Sequence, residues 1–156
     1  MASILPTVPR FVLTIFEPLS LLAGAVAPFL STDWFVAKQL PLSALEPLSA
    51  NSRMVALQLG NIYLLLAMVG IAVLYTTTEP RVVRNYVIAL LIADVGHVAV
   101  TCWVMDYESL TDIANWNAMA WGNIGVTAFL FSVRTSYLLG LFGDDHLPTT
   151  AIKKSN

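Results

Sequence analysis

The sequence predicts an all-α integral membrane protein, folded as a four-helix transmembrane bundle. The first observation behind this prediction is composition: 57% of the 156 residues are hydrophobic, and the mean hydropathy is +0.73. The second is charge, because only 12% of the residues are charged, whereas a soluble domain has roughly 25%. The third is the presence of four apolar runs, each able to supply the roughly 20 helical residues that cross a ~30 Å hydrocarbon core.

The four runs are predicted to be transmembrane helices, and residues 1–156 are predicted to form a single transmembrane domain. The connector between the first two runs is long and contains Pro41 and Pro47, whereas the two later connectors are short and polar. The predicted spans are residues 11–30, 54–75, 86–105 and 116–142.

The first span shares one feature with secretory signals, since its "AVA" stretch resembles a small-residue cleavage site. Glu17 and Pro18, however, interrupt its apolar region. This interruption favours a span that is retained in the mature protein. We therefore expect four retained spans.

Orientation follows from lysine and arginine, which are enriched in cytosolic loops. One side of the predicted bundle has five basic residues, which should make it cytosolic and place both termini there. The chain ends in "KKSN", which resembles the dilysine signal that retrieves membrane proteins to the endoplasmic reticulum. We therefore expect a multi-pass endoplasmic-reticulum membrane protein of a eukaryote. The five basic residues are Arg10, Arg81, Arg84, Lys153 and Lys154.

Ionisable side chains inside the spans are costly and usually face a bundle interior. Counting inward from the cytosolic end at ~1.5 Å per residue puts Glu17 about 10 Å deep, and Asp94 and Arg134 about 12 Å deep. His97 follows Asp94 by one turn on the same helix face. We expect the polar residues of each span to lie along one face of its helix. If these faces all point inward, they form a polar pocket. We predict Glu17, Asp94, His97 and Arg134 as the catalytic residues of this pocket.

The spans also contain polar and aromatic side chains that could contact a substrate. Asparagines would position water or substrate oxygens. A tryptophan face can stabilise a developing carbocation, although packing against lipid explains the tryptophan equally well. The predicted substrate-binding residues are Asn61, Tyr63, Trp121, Asn123 and Thr127.

A purely structural interpretation of the ionisable residues stays open. In it, Asp94 and Arg134 form an ion pair that fixes helix register, while His97 and the asparagines join helices by hydrogen bonds. Against it, one arginine neutralises only one carboxylate, so Glu17 and Asp94 should differ in protonation, one ionised and one bearing a proton. A pocket with both forms contains a general acid and a general base.

Composition also argues against several function classes. The single cysteine, Cys102, excludes an intramolecular disulfide and a cysteine-cluster metal site, and two histidines leave little for zinc. No phosphate loop or redox-cofactor motif occurs, so we expect no cofactor and no metal. The net charge of −2, without a basic stripe, gives no sign of a nucleic-acid partner. The expected partners are a lipophilic small-molecule substrate and membrane lipid, and a homodimer stays open.

Three stretches, "LPTVPRFVLTIFEPLSLLAGAVAP", "QLGNIYLL" and "IADVGHV", resemble a family of small fungal four-span membrane proteins. Most members are described only as a domain of unknown function, and some lie in polyketide and meroterpenoid gene clusters. In its size and in having carboxylates within its transmembrane helices, the chain is similar to fungal membrane-bound terpene cyclases and sterol delta-8,7 isomerases. Those enzymes use transmembrane carboxylates for proton transfer. It is similar in size and hydropathy to the small epoxide-opening hydrolases of fungal polyene-pyrone pathways.

The residues and the resemblance together predict a cofactor-free acid–base enzyme, an epoxide hydrolase or cyclase acting on a lipophilic polyketide or meroterpenoid intermediate. Glu17 and Asp94 would exchange protons, Arg134 would hold one of them ionised, and His97 would orient the nucleophile. Two alternatives stay open: a double-bond isomerase of a sterol-like or terpenoid lipid, and a non-enzymatic transporter or assembly subunit.

Overall fold

The computed structural model describes residues 4–41 and 47–146, and within these ranges the chain is helical and contains no β-strand. In this part of the chain six helices follow one another, besides a short 3₁₀ helix at Ile113–Asn115, and two of the six, the first and the last, contain a π-helical segment. The helix bounds are Thr7–Leu30 for α1, Thr32–Ala37 for α2, Ala50–Thr76 for α3, Pro80–Val104 for α4, Tyr107–Thr111 for α5 and residues 118–138 for α6.

Helices α1, α3 and α4 are long and apolar enough to cross a membrane. They contain 24, 27 and 25 residues, and their most apolar stretches have mean hydropathies of 1.7, 2.0 and 2.0. These values confirm, at the first three predicted positions, helices that are long and apolar enough to cross a membrane. The chain is therefore an all-helical protein with the features of membrane association.

Each of these helices begins one turn or more before the predicted span, and polar residues cap two of them, α3 and α4, outside the apolar run. The Ser49 hydroxyl oxygen accepts a hydrogen bond from the Ser52 backbone N–H at 3.0 Å, at the start of α3. The Glu79 carboxylate accepts one from the Arg81 N–H at 3.4 Å, at the start of α4. Such caps satisfy N–H groups that the first helical turn leaves unbonded. Hydropathy alone does not detect them.

The fourth predicted span, residues 116–142, folds as the shorter helix α6 and is not among the three helices with membrane-spanning length and composition. One α-helical turn, Ala118–Ala120, leads into the π-helical segment Trp121–Val126, and an α-helix continues over Thr127–Leu138. Polar side chains along this helix, Asn123 and Arg134 among them, lower its hydropathy. The predicted four-helix transmembrane bundle is thus not confirmed.

The helices pack mainly as two pairs, α1 along α3 and α4 along α6. Aromatic contact between α1 and α6 joins the pairs, because the Phe16 and Phe129 rings meet edge to face at 5.7 Å. Buried apolar residues from α1, α3, α4 and α6 form a shared core near the end where α1 begins. They include Leu13, Leu74, Val83, Val87, Leu130, Val133 and Tyr137.

The long connector after α1 bonds to the beginning of α6. The Asn117 side-chain amide donates to the Lys38 carbonyl at 3.1 Å, and the Asn123 amide donates to Gln39 Oε1 at 3.1 Å. The described part of the connector therefore bonds to Asn117, which directly precedes α6, and to Asn123 within α6. The rest of the connector, residues 42–46, lies outside the described residues.

Gly60 lets α1 and α3 approach closely, and we expect Gly60→Ala to destabilise the protein. A Cβ atom at Gly60 would lie 2.6 Å from Pro28 Cγ and 2.9 Å from the Ala25 carbonyl oxygen, neither of which can rotate away. Overpacking of this kind costs about 1–3 kcal/mol. Gly96→Ala is the matched control, since no atom lies within 4 Å of its added Cβ, and helix propensity favours alanine by about 1 kcal/mol. Thermal unfolding in detergent should show opposite shifts, and equal shifts would contradict the packing argument.

Candidate functional site

Arg134 joins three helices in the interior of the protein. From α6, its Nη2 donates a hydrogen bond to Glu17 Oε1 of α1 at 2.6 Å, and its Nη1 donates one to Asp94 Oδ2 of α4. The structure thus brings three of the four predicted catalytic residues into direct contact. We call Glu17, Asp94 and Arg134 the carboxylate–arginine cluster.

The cluster is buried unevenly. The Arg134 side chain is 1% exposed, whereas the Glu17 and Asp94 side chains are 9% and 11% exposed. The second oxygen of each carboxylate, Glu17 Oε2 and Asp94 Oδ1, accepts no hydrogen bond from the described residues and is not fully enclosed. The accessible edge of the cluster is therefore formed by carboxylate oxygens.

Arginine suits this position for a geometric reason. Its planar guanidinium presents several N–H donors in a fixed fork, so it can bind two carboxylates at once, and it keeps its charge when buried. Its Nε is enclosed and makes no hydrogen bond within the described part of the chain. Nη1 and Nη2 therefore donate all the hydrogen bonds that the structure shows for this guanidinium.

A π-helical segment and a proline set the position of Glu17. The segment Val12–Phe16 ends directly before Glu17, and Pro18 follows it. A residue at position 18 would normally donate its N–H to the carbonyl of Thr14, but proline has no N–H. The Tyr75 hydroxyl of α3 donates to this carbonyl instead, at 3.3 Å. Irregular backbone inside a membrane protein is tolerated where a neighbouring helix satisfies it, and π-helical turns are frequent at functional sites.

His97 lies near the cluster but does not bond to it. It is half-buried on the same face of α4 as Asp94, close enough for the two charges to interact. Its imidazole makes no hydrogen bond to any described residue, and its backbone carbonyl accepts one from the Thr101 hydroxyl at 2.9 Å. The imidazole therefore remains available to another group beside Asp94.

The five predicted substrate-binding residues make their hydrogen bonds and ring contacts away from the cluster. Asn61 is exposed on α3, and Tyr63 packs its ring over Gly24 of α1. Trp121 stacks edge to face on Trp116, with the ring centres 5.3 Å apart.

The other two belong to α6. Asn123 is bonded to the connector through Gln39, and the Thr127 hydroxyl donates to the Gly122 carbonyl of its own helix at 3.4 Å. The expected pocket formed by polar stripes from all four helices is thus reduced to contacts from α1, α4 and α6.

Tyr86 is a neighbour of the cluster that sequence reasoning missed. It lies on α4 two turns before Asp94, and the charges of Glu17 and Arg134 both reach its phenol. Its hydroxyl approaches α3 at Gly70, where an added Cβ would lie 2.9 Å away. The signal in the sequence was its spacing of eight residues from Asp94, which is two steps of i, i+4 on one helix face.

These features define a class: a helical protein with three helices able to cross a membrane and a buried arginine shared by two carboxylates. Among the described residues no group of three or more metal-ligating side chains occurs. The chain belongs to the family described as Domain of unknown function (DUF7704), whose model matches residues 2–144. This finding confirms the part of the resemblance that points to a domain of unknown function covering nearly the whole chain. No curated protein and no solved structure matches the chain.

Proposed function

We propose that this protein is a cofactor-free membrane enzyme that opens an epoxide on a lipophilic substrate by acid–base catalysis. The observation that supports the proposal is the carboxylate–arginine cluster, in which one guanidinium holds two carboxylates and each keeps an accessible oxygen. Glu17 and Asp94 are the proposed proton-transfer pair. Arg134 holds them in place.

The charge balance of the cluster supports both a proton donor and a proton acceptor. With both carboxylates ionised, the cluster has a net charge of −1 in an environment where unpaired charge is costly. A single proton on either carboxyl makes it neutral. The neutral cluster then contains one carboxylic acid and one carboxylate, which are the two forms that general acid–base catalysis needs.

Epoxide hydrolysis uses these two groups in one step. The carboxylic acid gives its proton to the epoxide oxygen as a ring C–O bond breaks, and the carboxylate takes a proton from water as the water oxygen bonds to that carbon. The product is a diol, and the cluster ends with one proton, now on the other carboxyl. An internal hydroxyl in place of water gives a cyclic ether by the same proton transfers. His97 and Tyr86 lie where they can orient the nucleophile or the epoxide oxygen.

One observation also favours a non-enzymatic role. Because Arg134 pairs with both carboxylates, it links α1, α4 and α6, and a link of this kind can serve assembly alone. The same carboxylates could also move a proton between carbon atoms in a double-bond isomerase. The three functions differ in their products.

Microsomes that contain the protein should therefore be incubated with a panel of lipophilic epoxides in H₂¹⁸O, and the products should be analysed by mass spectrometry. Hydrolysis would give an ¹⁸O-labelled diol, and cyclisation would give an unlabelled isomer of the substrate. Deuterium on carbon after incubation of an unsaturated lipid in D₂O would instead favour the isomerase. Microsomes without the protein are the control. The absence of any product above this control would contradict the enzymatic proposal.

We propose further that α6 crosses the membrane as a fourth span and that both termini are cytosolic, in the endoplasmic reticulum of a fungal cell, as a product of a natural-product gene cluster. The position of α6 supports this arrangement, since Arg134 bonds to the interior of α1 and α4 and so lies at their depth. The "KKSN" stretch, which lies outside the described residues, resembles a dilysine retrieval signal, and this resemblance is the reason for proposing the endoplasmic reticulum.

Topology can be tested with a tag at each end of the chain. In sealed microsomes, protease added outside should remove both the N-terminal and the C-terminal tag, because four spans return the chain to the side on which it began. Protection of the C-terminal tag alone would indicate three spans and contradict the proposed fourth. Detergent-permeabilised microsomes serve as the control for tag accessibility.

A further inference from the structure

A cleft of about 240 Å³ lies at the beginning of α1, and none of the three residues of the carboxylate–arginine cluster lines it. It is formed between the first turns of α1, the end of α3 and residue His146, whose backbone N–H donates to the Ile4 carbonyl at 2.7 Å. Its lining residues are Leu5, Thr7, Arg10, Phe11, Thr14, Ile15, Tyr75 and His146.

The polar part of the cleft is basic. Arg10 is exposed, and its guanidinium makes no ion pair with any residue that the structure describes. His146 is exposed beside it, and the lining contains no aspartate or glutamate. Two acids precede His146 in the chain, and neither lines the cleft. Asp144 is exposed, and Asp145 accepts a hydrogen bond from the Tyr137 hydroxyl at 3.0 Å. The cleft therefore presents positive charge without an internal carboxylate to neutralise it.

The other part of the cleft is apolar. Phe11 is 58% exposed and Ile15 is 44% exposed, and they follow each other by one helical turn on the outside of α1. They lead from Arg10 along the membrane-spanning helix. The basic part is thus at the end of the span, where lipid headgroups lie, and the apolar part runs toward the hydrocarbon.

We propose that this cleft binds an anionic phospholipid of the surrounding membrane. The lipid phosphate would contact Arg10 and His146, with the Thr7 hydroxyl as a further donor, and an acyl chain would lie along Phe11 and Ile15. This arrangement matches both the charge and the amphipathic shape of the cleft. It does not depend on the function proposed for the cluster.

The test is native mass spectrometry of the detergent-solubilised full chain, titrated with dioleoyl phosphatidylserine or dioleoyl phosphatidylcholine. We expect tighter binding of phosphatidylserine. Arg10→Gln should weaken that binding about fivefold, since one basic residue near a membrane surface contributes about 1 kcal/mol toward an anionic lipid. Arg10→Lys should retain most of it, and phosphatidylcholine, whose phosphate charge is balanced by its own choline cation, should lose less affinity than phosphatidylserine in Arg10→Gln.

Arg81→Gln is the matched control, because Arg81 is an exposed arginine outside the cleft, at the start of α4. Equal losses in Arg10→Gln and Arg81→Gln would indicate general surface attraction and would overturn the proposal. Equal affinity of the wild type for both lipids would overturn it as well. Glycerophosphoserine, which has the headgroup without acyl chains, should compete poorly. Effective competition would show that the cleft binds a soluble phosphate compound and would overturn the lipid proposal. Phe11→Ala keeps the charge and should weaken both lipids, which tests the apolar part separately.

Discussion

Glu17→Gln is expected to lower turnover of a lipophilic epoxide by at least about 100-fold, the lower end of what a general acid or base contributes. Glutamine keeps the shape of the side chain, and its amide oxygen can still accept the hydrogen bond that Arg134 donates at 2.6 Å. It cannot exchange a proton. Because Arg134 keeps its ion pair with Asp94, the cluster stays neutral and the fold should be retained. Product formation should be measured per mole of folded protein.

Two companion variants make this result interpretable. Glu108→Gln removes an exposed carboxylate in α5 and should leave turnover unchanged. Asp94→Asn removes the other carboxylate of the cluster and should lower turnover as much as Glu17→Gln does. Near-normal turnover in Glu17→Gln would refute a catalytic role for that residue. Near-normal turnover in both cluster variants would refute acid–base catalysis by this site and favour the assembly role.

Arg134→Met is expected to have the largest effect on stability. It leaves two buried carboxylates close together with no cation, and breaking a buried ion pair costs about 3–5 kcal/mol. The side chain that is lost is 1% exposed, so water cannot replace its hydrogen bonds at the same place. The free energy of unfolding in mixed micelles and the yield of folded protein after detergent extraction should both fall.

Arg81→Met is the control for this prediction, since surface substitutions usually change stability by less than about 0.5 kcal/mol. Adding Glu17→Gln and Asp94→Asn to Arg134→Met removes the unpaired charges and should restore much of the lost stability. The triple variant should nevertheless be inactive in the epoxide assay. Wild-type stability of Arg134→Met alone would contradict the ion pairs, and activity of the triple variant would contradict their catalytic use.

Depth along a helix could be read from the sequence, and this is why the cluster was predictable. Counted at ~1.5 Å per residue from the predicted cytosolic ends of the spans, Glu17, Asp94 and Arg134 all come to about 10–12 Å, with Arg134 counted from the C-terminal end of its helix because that helix runs the opposite way. The contact among the three required that α1, α4 and α6 be adjacent, which hydropathy does not determine. The pairing of Arg134 with both carboxylates depends on helix rotation, and the π-helical segment before Glu17 changes that rotation.

The predicted binding residues show the opposite case. Asn123 is on the helix that contains Arg134, but it bonds to Gln39 of the connector. That contact depends on how a long loop folds back, and no periodic pattern encodes it. Asn61 is a polar residue within the apolar run of α3, and it is nevertheless exposed. A polar residue in an apolar run indicates that a partner is needed, but it does not identify the partner.

The cluster also has a consequence for biosynthesis, because its cation is made last. Arg134 comes 117 residues after Glu17 and 40 residues after Asp94 in the chain. Both carboxylates are therefore synthesised before the arginine that pairs with them. The same order means that α6, the least apolar of the four long helices, is made after the two helices to which Arg134 is bonded. The link between α1, α4 and α6 can thus form only after residue 134 has been made, and a chain that stops before it has both carboxylates but lacks their shared counter-ion.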